Sequence, residues 1–183
     1  MQLDSEFETL HLVRIRSLGP VETFGDVTAL VESGLITVTP RGCMLTPAGF
    51  ERHEELLVQW RETIDGAVLA TTYERFLVVN QPVKDLCSRW QVEGQDDEAL
   101  FMTVEDLSEI LDRAGSALRR AAEVVPRFGT YPPRLREALE AAREGDSRFI
   151  TDPRVDSIHN VWFECHEDYL LSLGRDREAE GSF

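Results

Sequence analysis

Between Gly34 and Pro47 the hydrophobic period of this chain changes once, from helical spacing to alternation and back, and that switch limits the fold more than any other feature. Leu35-Ile36-Thr37-Val38-Thr39 is alternating and β-branched, Pro40-Arg41-Gly42 supplies turn residues, and Cys43-Met44-Leu45-Thr46 returns. This is the pattern of a β-hairpin. On either side the spacing is helical. Residues 5–17 set Phe7, Leu10 and Val13, with Leu12 and Ile15 one step round, along one side of a helix that Gly19-Pro20 ends. Val27, Leu30 and Val31 mark a second, short helix stopped by Gly34. Thr46-Pro47 then supplies an N-cap and a first-turn proline. The helix that follows carries Phe50, Leu57, Ile64 and Val68 and is expected to run unbroken to about Val79. A lone hairpin in an otherwise helical chain predicts a mainly α fold.

From Gln81 onward the pattern is helical throughout. A short segment from Val83 to Trp90 is expected to end in an acidic loop, Glu93 to Glu98. Thr103 opens the next helix as a cap, with Val104, Leu107, Leu111, Ala114, Leu118, Ala122 and Val125 on its inner face. Pro126 to Pro133 reads as a connector. Leu135, Leu139 and Ala142 mark a helix closed by Gly145, and Asp152-Pro153 caps a final helix that runs to Leu173 and stops at Gly174. The organisation expected is a first domain over residues 1–60, a helical domain over 61–174 and a flexible tail over 175–183.

Charge and composition narrow the function. Asp and Glu number 34 against 19 Lys and Arg, a formal charge of −15, which disfavours broad binding to a phosphate backbone. An apolar content of 42% with 29% charged residues is that of a folded domain. No apolar run approaches the roughly 20 residues of a membrane span. The acidic start Met-Gln-Leu-Asp-Ser-Glu-Phe-Glu lacks the apolar stretch of a secretory signal. Cys43, Cys87 and Cys165 are odd in number and scattered, unlike a disulfide framework or a zinc site. A cytoplasmic protein without membrane contact is expected. No glycine-rich phosphate loop and no GxSxG elbow occurs, so no nucleotide, cofactor or metal is expected.

The order of helix, short helix, hairpin and then Leu45-Thr46-Pro47-Ala48-Gly49-Phe50 resembles the winged-helix part of MarR-type transcriptional regulators, over about residues 8–60. Leu30-Val31-Glu32-Ser33-Gly34-Leu35-Ile36 is similar to the end of that family's recognition helix and the start of its wing. The resemblance implies a winged helix followed by a helical bundle, a homodimer, and a regulator. A winged helix binds DNA by laying one helix in the major groove and a wing on the backbone. Arg14, Arg16 and Arg41 are then the expected phosphate contacts. Residues 21–34, however, hold Glu22, Asp26 and Glu32 and no base, and they lack the Arg, Lys, Asn or Gln that read base edges. DNA binding is possible on this build but disfavoured by that acidic segment. Tyr73 to Asn80, Leu86 to Gln91 and Asp156 to Asp168 resemble an uncharacterised actinobacterial group labelled regulators for its N-terminal winged helix.

The densest chemistry lies near the end. At helical spacing Val155, His159, Trp162, Phe163, His166, Leu170 and Leu173 share one face. His159 and His166 are seven residues apart, about 10.5 Å along a helix, too far to share one metal ion. With Asn80, Trp90, Gln91, Trp162 and Tyr169 they are the candidate lining of a small-molecule pocket, while the plainer reading of the same histidines is hydrogen-bonded core. His11 and His53, beside apolar stripes of the first domain, are expected to pack. The leading expectation is a MarR-like regulator with a ligand pocket in its helical region. The alternatives are an enzyme of specialised metabolism, with His159, His166, Glu164 and Glu167 as acid–base candidates, and a module that grips a protein partner.

Overall fold

The computed structural model describes residues 2–16, 21–40, 42–92 and 96–175. It is mainly helical, with one two-stranded antiparallel sheet. The described chain forms two compact units: residues up to Thr63 together with Gly174 and Arg175, and Ile64–Leu173.

In the first unit, α1 (Gln2–Arg16) buries Phe7, Leu10 and Val13, the residues its spacing marks. Gly19-Pro20 lies outside the described residues. A 3-10 turn (Val21–Phe24) and a five-residue α2 (Thr28–Glu32) lead to β1 (Ile36–Thr39) and β2 (Gly42–Leu45). The strands pair with Ile36 opposite Leu45 and Thr39 opposite Gly42, so Ile36, Cys43 and Leu45 turn into the core. Then α3 (Pro47–Arg61) begins, capped by Thr46, whose hydroxyl oxygen accepts the Gly49 N–H at 3.0 Å. The unbroken helix expected to Val79 does not form. The Thr63 hydroxyl donates back to the Trp60 carbonyl, and Asp65 accepts the Val68 N–H at 3.1 Å. One helix is therefore closed and a new one capped within four residues. Phe50, expected on the inner stripe, is 42% exposed, because the inward face of α3 belongs to Gly49, His53, Leu56 and Leu57.

In the second unit, α4 (Gly66–Val92) is one long helix that absorbs the segment Val83–Trp90 expected to stand alone. Pro82 sits inside it. A proline there removes one backbone donor. Burial of Val79, Val83, Leu86, Cys87 and Trp90 on the same helix outweighs that loss. Helix α5 (Asp97–Val124) starts at Asp96, whose carboxylate accepts the Ala99 N–H at 2.8 Å. Thr103 is thus not a cap but a buried residue in mid-helix, and Asp97 and Glu98 belong to the first turn rather than to a loop. Residues 93–95 lie outside the described chain. The expected inner face of α5 holds, with Leu111 and Ala122 half-buried and the other five buried. A 3-10 turn (Pro126–Thr130) leads into α6 (Tyr131–Arg143), followed by a short α7 (Arg148–Thr151) and α8 (Ile158–Leu173). The final helix starts later than Asp152-Pro153, because Asp152 spends its carboxylate on a turn, accepting the Arg154 N–H at 2.8 Å and its guanidinium at 2.6 Å. Gly174, at φ 65°, stops α8 as expected. The expected flexible tail lies, beyond Arg175, outside the described residues.

Candidate functional site

The junction of hairpin and α3 explains the residues that carry the winged-helix resemblance. The Leu35 carbonyl accepts the Thr46 N–H at 3.0 Å, and the Thr46 hydroxyl reaches the Gly34 carbonyl at 2.6 Å while capping α3. A Cβ at Gly49 would lie 2.0 Å from the Leu35 oxygen. Only glycine lets the helix start this close to the sheet. Behind it, Nδ1 of His11 and Nε2 of His53 are 3.0 Å apart, both rings fully buried beside Phe7. These two histidines pack, as expected.

The element that would read DNA is short and acidic. Helix α2 buries none of its residues. Ahead of it, Asp26 accepts the Thr28 N–H at 3.0 Å, and hydrogen bonding to Thr28 holds its carboxyl below the usual range. Arg14 is engaged with α3, its guanidinium 4.5 Å above the Phe50 ring and 3.8 Å from Glu54. Arg16 is half-buried, and Arg41 lies outside the described residues. Among the described residues from 5 to 63, every exposed charged residue is acidic.

The helical unit brings most of the candidate pocket residues together, as a filled core. The Trp162 indole N–H donates to Asn80 Oδ1 at 2.9 Å, the Tyr73 hydroxyl is 2.9 Å from His166 Nε2, and the Tyr169 hydroxyl donates to Thr72 at 3.3 Å. Phe76 stacks on Trp162 with 4.4 Å between ring centres. Asn80, Trp90, Trp162, His166 and Tyr169 are all buried. Gln91 is exposed and does not join them. His159 is half-buried, its ring 4.8 Å from Phe163.

Of the acid–base candidates, Glu164 is held by both terminal nitrogens of Arg134 at 2.6 and 2.7 Å, and Glu167 is half-buried. Burial opposes the Arg134 charge, but hydrogen bonds to Asp156 and Glu164 outweigh it and hold its pKa above the ordinary value.

A second polar cluster has no signature in the sequence. Asp168, fully buried, accepts from Arg127 Nε at 2.9 Å, from the Tyr131 hydroxyl at 2.8 Å and from Ser172 at 3.0 Å. Burial, together with the charge of Asp168, pushes the Tyr131 phenol well up. The thiol of Cys87 is raised to about 12 by burial alone, and burial likewise lifts Cys165 well above its usual value, so both are inert as nucleophiles.

Space for a ligand lies elsewhere, in a groove of about 370 Å³ along α4 and α5, with Pro82, Leu86 and Ile110 as apolar lining and Asp85, Arg89, Asp106, Glu109 and Arg113 around them. Arg89 and Asp106 pair across it at 3.0 Å. Among the described residues no group of three potential ligands could hold a metal ion, and no helix is long and apolar enough to cross a membrane. No family model, no curated protein and no solved structure matches the chain.

Proposed function

We propose that this chain is a cytoplasmic regulator of MarR-like, winged-helix build that works as a homodimer and takes a small molecule in its helical unit. The observation that carries the reading is the first unit: helix, short helix, hairpin and capped helix in winged-helix order, with Gly49 and Thr46 locking the wing to α3. The groove beside Pro82 supports the ligand half of the reading, since its volume lies in the range of small-molecule sites. The acidic surface of residues 5–63 and the brevity of α2 weigh against base reading by this chain itself. Regulation then runs through contact with other proteins.

Transcript profiling in the native host, with and without the gene, tests the proposal. A defined set of genes whose levels follow the protein supports it, and an unchanged transcriptome overturns it. Light scattering of the purified chain tests the dimer.

A further inference from the structure

The outward side of α3 carries a row that the winged-helix core does not use. Phe50, Glu54, Val58 and Glu62 follow at intervals of four residues, which places them along one line of the helix. The row is about 18 Å long at 1.5 Å per residue. It alternates apolar and acidic groups, and its apolar members stay in water: Phe50 is 42% and Val58 55% exposed.

The acids of this face are available. Glu51, next to Phe50, and Glu62 form no ion pair among the described residues, and Glu54 has only the long 3.8 Å approach of Arg14. Glu55, off the row, is taken by Arg52 at 3.2 Å. Arg14 also displays the chemistry that this face accepts: a guanidinium over the Phe50 ring with a carboxylate beside it.

We propose that this α3 row is a docking surface for a cationic amphipathic helix of another protein, whose apolar side chains cover Phe50 and Val58 while its lysines or arginines meet Glu51, Glu54 and Glu62. A second copy of this chain does not fit, because like-charged acidic faces repel and the chain carries −15 overall. A DNA backbone does not fit for the same reason.

The test uses the full chain and a fluorescein-labelled synthetic helical peptide with leucine on one row and lysine on the rows beside it, read by anisotropy. Saturable binding that weakens with salt is expected. Val58→Ser and Glu54→Gln, each checked for an unchanged circular dichroism spectrum, should each weaken it about fivefold, close to 1 kcal/mol. Val78→Ser, on an exposed residue of the helical unit, should leave it unchanged. Equal binding of a peptide with serine in place of leucine would reduce the effect to charge alone and overturn the proposal. So would binding that ignores both α3 substitutions, or a duplex DNA bound more tightly than the peptide.

Discussion

The indole N–H of Trp162 on α8 donates to the side-chain oxygen of Asn80 on α4 at 2.9 Å, across 82 positions of sequence and between buried side chains. This bond, with the Tyr73–His166 pair a few residues along, ties the two helices together by polar contacts in a mostly aromatic layer. Buried polar groups matter most when one partner is removed, because the other is then left unsatisfied. Asn80→Ala is expected to lower the stability of the helical unit by about 2 kcal/mol. A thermal melt followed by tryptophan fluorescence reads the loss. An Asn80→Ala protein as stable as the parent would mean that the indole has a second partner.

Asp168 is the more demanding case. It balances Arg127 in the interior and also accepts from Tyr131 and Ser172. Asp168→Asn keeps the shape and removes the negative charge that faces the largely buried Arg127 guanidinium. Breaking a buried pair in this way costs about 3 kcal/mol or more. Urea denaturation should show the midpoint falling at unchanged slope.

Gly49→Ala places a methyl carbon 2.0 Å from the Leu35 carbonyl oxygen. A backbone oxygen cannot rotate away as a side chain could, so sheet and helix must separate. The expected cost is about 3 kcal/mol, at the upper end for overpacking. Hydrogen exchange should show loss of protection in the hairpin and α3 while α4 and α5 keep theirs. Unchanged protection of the hairpin amides would contradict the geometry.

The pH response of the turn before α8 follows from Asp152. Hydrogen bonds from the Arg154 guanidinium and from its backbone N–H lower the Asp152 pKa to about 2, against about 3.9 for a free aspartate. A carboxylate depressed in the folded state stabilises fully above the free value, and the contribution is lost as pH falls from about 4 towards 2. Carboxyl NMR should show Asp152 titrating near 2, and Arg154→Ala should return it towards the free value.

Much of the first unit was legible in the chain because its signals are local. Alternation at Leu35–Thr39, the Thr46-Pro47 cap and the buried positions of α1 depend on residues within one or two turns of each other. The break at residues 62–65 escaped because Asp65 caps only once the previous helix has stopped. The continuity of α4 through Pro82 escaped because burial of distant side chains outweighs a local penalty. In the helical unit the special residues of α8 stood out by type, but their roles did not. His166 and Trp162 could as well line a pocket as fill a core, and only their partners on α4 distinguish the two.

The sequence by itself determined the helical class, the single hairpin, the caps and the acidic character of residues 21–34, since periodicity, turn chemistry and charge are properties of neighbouring residues. Only the tertiary structure decided that Asn80 and Tyr73 satisfy Trp162 and His166, that Arg127 and Arg134 neutralise Asp168 and Glu164, and that Phe50 faces water. Each of these depends on segments tens of residues apart meeting at hydrogen-bond distance, or on which side of a helix its neighbours cover. No local pattern encodes that.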